Sequence, residues 1–521
     1  MPPSSLWVRL RRQAARWVPL AIVGLLTAWV FAVFNDNFLH RDIAYDESYF
    51  VWGGWCILKG LAPYRDFLEF KPPLLFLTHA LALKLYGLDS FQYRWFFLWF
   101  PMASVLALQA SLISRGVGKL AALALGLAIV QLWVNSQFHD TALSDSESVG
   151  LAYYFFGVAL SLARTRFGDR LKAPGAACLA ACVLSKEPFL LSSLMTWACC
   201  FLVDANPATL RRDGVRYLKI TSLGVGVLVF GLCLYMIPTG SMRAYVQTFA
   251  KYMRLYRDPL QSYCVVLGRF HPTTPLNDLL VQIRQGVREY FNLATLGYLI
   301  PFAIVSVVFT ARRSPLLLAL LLVTLMLALY SVTASNCQWQ HYYLLSFNGL
   351  FFFLVIGLDS MTTRVRSRRV RGIIGAALLA SAVFACWPRY KVEIKFMGKR
   401  TFTSFYREDV PGSFEVIAQH TTPADRIFTT GPPLIYPQTN RLGAVRESNW
   451  VDEDLGFYDG KTDVEKLRGV RAELERSMPK VFITDPENAY RKVRHDQALL
   501  DPFLLEHNYT EVKPNIWLRP Y

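Results

Sequence analysis

Several familiar signatures are missing from this chain. The segment 389–521 holds neither a GxGxxG turn nor a P-loop, which excludes nucleotide binding through either fingerprint. Nine cysteines are scattered without the paired spacing of a metal clamp, which excludes a zinc-ribbon or finger. There is no internal repeat and no low-complexity tract, so neither a repeat array nor a disordered tail is expected. No small-residue cleavage site follows the first apolar run, which ends Phe34-Asn35-Asp36-Asn37-Phe38-Leu39-His40. An uncleaved first span is therefore expected rather than a removed leader.

What is present in quantity is apolar sequence. Of 521 residues, 53% are hydrophobic, and the mean hydropathy is +0.28. Apolar runs recur near 17–34, 94–113, 117–134, 148–164, 173–188, 189–203, 217–237, 293–310, 315–332, 342–358 and 371–388. Most of these have the length a helix needs to cross a bilayer. The weakest are the two between 173 and 203, split at Ser185-Lys186-Glu187-Pro188. A further run, Pro72 to Tyr86, contains His79 and Lys84 and has only about 15 residues, which suits a helix lying in the interface.

The net charge of +17 resolves into short basic loops between apolar runs, the positive-inside pattern rather than a nucleic-acid surface. Four arginines lie between Arg9 and Arg16. If Pro72 to Tyr86 does not cross, Arg115/Lys119, Arg164/Arg166/Arg170/Lys172, Arg211/Arg212/Lys219, Arg312/Arg313 and Arg364 to Arg371 all fall on the N-terminal side. If it does cross, all of them flip against a basic N-terminus. The expectation is an α-helical polytopic membrane protein of about 11 spans, N-terminus in and C-terminus out.

That topology sends four segments outside: 35–93, 135–148, 238–292 and the tail. Residues 1–388 are expected to form a transmembrane domain and 389–521 a small α/β extracytoplasmic domain. In the tail, Arg426-Ile427-Phe428-Thr429-Thr430 and Lys480-Val481-Phe482-Ile483-Thr484 read as short strands. Val464 to Ser477 reads as an amphipathic helix, and Tyr509 to Leu518 as a closing strand pair. Cysteines 178, 182, 199, 200 and 233 sit in apolar runs and read as packing residues. Cys56, Cys264 and Cys337 fall outside, where a disulfide between two of them is open.

Polar chemistry gathers on that outer face. Asp46 and Glu47 follow the first span, and a partly desolvated carboxylate there can serve as a base. A plain acidic helix start is the competing reading. The second outer loop adds His139, Asp140, Asp145 and Glu147. Paired acids there could divide base and orienting roles or bind a divalent cation through oxygen. Arg65, Lys71, Lys186, Arg243 and Arg257 are the cations available for a lipid-linked phosphate, with Lys251 and Arg254 beside the last two. Lys186 interrupts an apolar run, and an ionisable residue at membrane depth is functional by default, although snorkelling to the interface competes. The basic residues of 238–292 lie among tyrosines and equally suit headgroup anchoring. His341 opens a span at the outer face, where it could touch phosphate or metal or simply hold a structural hydrogen bond.

Two motifs, Asp46-Glu47 and the run Gly60-Leu61-Ala62-Pro63-Tyr64-Arg65-Asp66 to Lys71-Pro72-Pro73-Leu74, together resemble the GT-C superfamily of integral-membrane glycosyltransferases. The chain is most similar to the dolichyl-phosphate-mannose protein mannosyltransferases and the aminoarabinose transferases of lipid A. Asp145/Glu147, Leu184 to Pro188 and His341-Tyr342-Tyr343 match less sharply. The resemblance implies a sugar donor on a polyprenyl phosphate and transfer with inversion. It implies Asp46 as base, and Lys71, Lys186 and the long outer loop around the donor phosphate. The aminoarabinose transferases place a Glu directly before Lys-Pro-Pro, used with a histidine for metal. Here Phe70 stands at that place and Glu69 one residue earlier, so the metal candidates are Glu69, His139 and Asp140.

The implied setting is a bacterial inner membrane, with membrane lipid as partner, a lipid or envelope glycan as acceptor, and no nucleic acid. A flippase or transporter is the first alternative and predicts mid-membrane polar sites and symmetric halves. A protein O-glycosyltransferase, a polymerase or ligase using diphosphate-linked glycan, and a non-catalytic scaffold are the others.

Overall fold

The structure, a computed structural model, describes residues 4–40, 45–69, 71–88, 90–135, 143–165, 167–257, 293–333, 344–397, 399, 410–446, 463–484 and 495–520. Nearly all of the first 396 residues so described are helix. In chain order the helices are α1 Ser4–Phe34, α2 Asp36–His40, α3 Tyr45–Leu58, α4 Pro73–Tyr86, α5 Ser90–Ser114, α6 Lys119–Asn135, α7 Ser146–Leu162, α8 Lys172–Val183, α9 Leu190–Asp204 and α10 Leu210–Met236. They continue with α11 Ser241–Arg257, α12 Leu293–Arg313, α13 Pro315–Thr333, α14 Leu344–Arg364 and α15 Arg368–Phe396. Among the described residues, five helical stretches are long and apolar enough to cross a bilayer: Gln92–Ser114, Glu187–Asp204, Pro207–Met236, Leu344–Arg364 and Arg368–Phe396. Val18–Phe34, Pro73–Tyr86, Lys119–Gln131 and Pro315–Ser331 are shorter apolar helical stretches. At ~1.5 Å per residue, α4 is about 21 Å long and falls short of a hydrocarbon core.

The chain forms two compact units. The first gathers Met1–His40, Trp95–Gly231 and Thr273–Phe402. Its most enclosed helix is α14, buried from Leu344 to Met361 except at Leu350, as expected of a helix apolar all round. At Gly357 an added Cβ would lie 2.4 Å from Ser306 Cα, so only glycine lets α14 approach α12 this closely. Between α8 and α9 the helix stops at Leu184. Lys186 is extended (φ −158°, ψ 112°), and Pro188 opens a short 3₁₀ turn.

The basic residues between helices form ion pairs in this unit. Arg115 is fully buried and forks onto Asp359, Nε to Oδ1 at 2.7 Å and Nη2 to Oδ2 at 3.0 Å. The same guanidinium reaches Asp204, Nη1 to Oδ2 and Nη2 to Oδ1, both at 2.9 Å. Arg313 Nη1 adds a second cation to Asp359 at 2.7 Å, and Arg164 Nη2 a second to Asp204 at 2.8 Å. The ends of α5, α9, α12 and α14 are thereby tied by one ionic network. Neither aspartate was singled out in the sequence reading, which took the arginines as topology signals alone.

The second unit gathers Arg41–Arg94, Leu232–Pro272 and Thr403–Tyr521. In it α3 lies against α4, and Gly54 permits the contact: an added Cβ would sit 2.8 Å from Ala80 N. Its C-terminal part holds a five-stranded sheet of β1 Arg426–Thr429, β2 Leu442–Gly443, β3 Val481–Ile483, β4 Thr510–Lys513 and β5 Ile516–Leu518. The order is β2-β1-β3-β5-β4. β2 and β3 pair parallel to β1, with Ile427 opposite both Gly443 and Val481. β5 runs antiparallel to β3 and β4, with Phe482 opposite Trp517. Around the sheet run α16 Ser413–His420, α17 Ile435–Thr439, α18 Asp463–Ser477 and α19 His495–Glu506. Phe428, Phe482, Leu474, Phe503 and Tyr509 form the core on one face.

The ionic network makes a prediction. Arg115→Ala is expected to destabilise the protein by about 3 kcal/mol, the low end for breaking a buried pair, because Arg313 stays with Asp359. Arg115→Lys keeps the charge, loses the fork and should fall between. Thermal unfolding in detergent measures both, and an unshifted midpoint for the alanine variant would deny the network any weight.

Candidate active site

The acid pair Asp46-Glu47 opens α3. Glu47 is fully buried and holds Arg94, itself fully buried at the start of α5, through two bonds. Arg94 Nη2 lies 2.9 Å from Oε2 and Nε 3.2 Å from Oε1. This two-pronged geometry is the most orienting way to hold a carboxylate. Asp46 is the preceding residue of the same helical turn; its side chain lies outside the described residues. Next to Arg94, the Tyr93 hydroxyl bonds His79 Nδ1, and the His79 ring lies 5.5 Å from Phe50 on α3. Both His79 and Tyr93 are fully buried. The first turn of α3 is therefore pinned from α4 and α5 together.

The run 61–71 is an ordered loop. Tyr64 takes a left-handed conformation (φ +65°), and its hydroxyl donates to the Lys71 carbonyl at 2.6 Å. Asp66 accepts from the Ala62 amide at 2.8 Å and from Arg65 Nε and Nη2, both at 2.7 Å. Arg65 Nη1 donates to the Thr239 carbonyl at 2.7 Å, just before α11. The hydrogen bonds from Arg65 hold the Asp66 carboxyl below its ordinary range, against a smaller opposing effect of partial burial. Glu69 is buried and Lys71 half-buried, while Phe70 lies outside the described residues. The Tyr64 ring stands 4.9 Å from that of Tyr245 on α11. Arg243 is exposed on that helix, and Arg257 closes it with its side chain outside the described residues. Cys56 is a buried free thiol on α3, its pKa pushed well up by burial; Cys264 and Cys337 lie outside the described residues.

In the first unit, Asp145 immediately precedes α7 and Glu147 lies in its first turn, both buried. Lys186 Nζ lies 2.7 Å from Glu147 Oε1, with both side chains almost wholly enclosed. Ser146 Oγ donates to Glu147 Oε2 at 2.7 Å. The break before Pro188 thus delivers a lysine to a carboxylate of the neighbouring helix, an arrangement that stabilises two charges together where neither would be stable alone. His139, Asp140 and His341 lie outside the described residues. Among the described residues no three His, Cys, Asp or Glu side chains converge as a metal site.

Of the candidates read from sequence, Glu147 and Lys186 meet directly, and Arg65 meets Asp66. Arg94 and Tyr93 carry no such mark in the sequence. The one available signal was Arg94 itself, a charge opening an apolar run, which reads from sequence as an interfacial arginine.

A solved structure of ArnT from Cupriavidus metallidurans in the apo state aligns over 97% of this chain and 98% of that one, with a TM-score of 0.57 and 13% identity. A structure of the same protein bound to undecaprenyl phosphate aligns over 82% and 85%, with a TM-score of 0.48 and 14% identity. No protein-family model and no curated protein matches the sequence. The similarity to apo ArnT is one of fold, so the GT-C resemblance drawn from the first-loop motifs holds at the level of architecture.

Asp66 gives a pH prediction. A carboxyl held low by its partners contributes order that is complete above its unfolded pKa and is lost as pH falls through the folded value. Amide exchange at Ala62, corrected for intrinsic rate, is expected to stay flat from neutral pH to about 5 and to accelerate below about 4. Asp66→Asn should abolish that transition; a flat profile in the parent protein would show that the carboxylate does not order the loop.

Proposed function

We propose that this chain is a glycosyltransferase that moves a hexose or pentose from a polyprenyl-phosphate donor to a lipid or envelope-glycan acceptor at the outer leaflet. The proposal includes an inner-membrane protein of about eleven spans, N-terminus in and C-terminus out. Residues 1–388 would form its membrane catalytic domain and 389–521 an extracytoplasmic one. What carries the reading is an ArnT-like fold over nearly the whole chain with an acid pair at the first turn of α3, one member of which is immobilised. ArnT from Cupriavidus metallidurans has itself been solved bound to undecaprenyl phosphate.

In this reading Asp46 takes the proton of the acceptor hydroxyl as its oxygen attacks the anomeric carbon. The bond from that carbon to the phosphate oxygen breaks, the configuration inverts, and the polyprenyl phosphate leaves with the electron pair. Lys71 and the basic residues of the long outer loop, Arg243 and Arg257 among them, meet the charge that develops on the leaving phosphate. Glu47 is assigned to holding the helix turn through Arg94. Glu147 is assigned to aiming Lys186, with Asp145 nearby in sequence. Arg65 secures the loop that leads to Lys71, and His341 is carried as a further phosphate contact. A divalent cation on Glu69, His139 and Asp140 also belongs to the proposal, and no step is routed through it.

Transfer by purified protein from a panel of polyprenyl-phosphate sugars to a membrane-lipid extract tests the reading. Asp46→Asn is expected to lower turnover by roughly 10²–10⁴-fold, the usual contribution of a positioned base, with the thermal midpoint unchanged. Turnover that survives would move the base to Asp145 or Glu147, and no consumption of any donor would favour the transporter. Dialysis against EDTA should lower turnover and added Mg²⁺ or Mn²⁺ should restore it; insensitivity to both would remove the cation from the proposal.

A further inference from the structure

Arg446 belongs neither to the acid pair nor to the cations assigned to phosphate, yet it grips the loop that leads to Lys71. It follows the edge strand β2. The ladder continues beyond β2, with the Ala444 amide donating to the Ile427 carbonyl at 2.9 Å. The Arg446 carbonyl then accepts the Leu68 amide, also at 2.9 Å, so the first outer loop is hydrogen-bonded onto the end of the sheet's edge. The Arg446 amide and Nε are both anchored on Glu473 of α18, each at 2.9 Å. Its Nη1 points to the Arg65 carbonyl at 3.4 Å. A second contact lies nearby: buried Tyr436 on α17 stands 6.3 Å, ring to ring, from Trp52 on α3, and Trp52 packs on Phe67 at 5.4 Å. The Tyr436 hydroxyl is itself fixed by the Thr429 amide at the end of β1.

We infer that the C-terminal sheet is a positioning element for the donor-binding loop, with Arg446 as its latch. An open loop of ten residues has many conformations, and ordering each costs free energy that the binding site must otherwise supply. Here the cost is met beforehand. The sheet edge holds Leu68, Arg446 covers the Arg65 carbonyl, Arg65 and Asp66 close the turn, and Tyr64 fixes the Lys71 carbonyl. Lys71 is thus aimed by residues more than 350 positions away in the chain. The positive charge of Arg446 also adds to the field that keeps Asp66 ionised. The donor half of this inference rests on the phosphate role proposed for Lys71.

The test uses the full-length protein in detergent, as wild type, Arg446→Ala, Arg446→Lys and Glu473→Gln. Amide exchange over 62–71, binding of undecaprenyl phosphate and the thermal midpoint are read for each. Arg446→Ala is expected to speed exchange in that segment and to weaken undecaprenyl phosphate binding by about tenfold, the scale of one lost charge-assisted hydrogen bond. Where transfer is measurable, KM for the donor should rise with kcat kept, since an ordering contact is lost and not a reacting group. Glu473→Gln should shift the same readouts less, and it keeps the test alive if the alanine variant fails to fold. Unchanged exchange over 62–71 overturns the latch. Faster exchange with unchanged binding overturns the donor half. If the wild type binds no polyprenyl phosphate, the proposed activity is at fault, and exchange alone decides for or against the latch.

Discussion

Charge buried in apolar surroundings must find a partner, and the organisation of this protein turns on that constraint. Glu47 with Arg94, Glu147 with Lys186, and Arg115 with Asp359 are all nearly or wholly excluded from solvent. Removing an ion from water costs several kcal/mol even after relaxation, so none of these groups is tolerable alone. Each pair joins different helices. The price of burial is thus converted into fixed geometry: α3 to α5, α7 to the break before α9, and the ends of α5, α9, α12 and α14 to each other.

The same constraint limits what a paired acid can do. A carboxylate spending both oxygens on a buried guanidinium has little freedom to accept a proton, because the guanidinium favours its ionised form. Glu47 is in that position, with both of its oxygens held by Arg94.

The loop 61–71 shows how a long connection is kept in order without a hydrophobic core of its own. Its backbone is bonded at Leu68 to the continuation of β2, at Ala62 to the Asp66 carboxylate and at the Lys71 carbonyl to Tyr64, while Arg65 reaches the start of α11. Trp52, Phe67, Phe76 and Tyr436 pack ring against ring beside this loop. Each bond is modest alone; together they restrict a loop of special sequence to one shape.

Local features were legible in the sequence because their causes are local. Span-length apolar runs mark helices since a helix satisfies its own backbone. The break at Ser185 to Pro188 could be read because proline lacks the amide that would continue the ladder. The runs 426–429 and 481–483 are strands because alternating or continuous apolar residues ending in threonine suit a buried sheet. Asp46-Glu47 and Lys71-Pro72-Pro73 were legible as a motif. The pairings were not. Glu47 and Arg94 are 47 residues apart, and Arg115 and Asp359 are 244 apart. No periodicity connects such positions, and a cation in a basic loop looks the same whether it faces water or an aspartate. Nor could the sequence place Arg446 on the loop 61–71, since backbone hydrogen bonds between distant segments leave no trace in side-chain chemistry. The sequence by itself determined which segments are helical, which are strands and where unusual charge collects. The tertiary structure decided which charges meet, because that depends on packing helices whose contacts are chosen by shape and not by order along the chain.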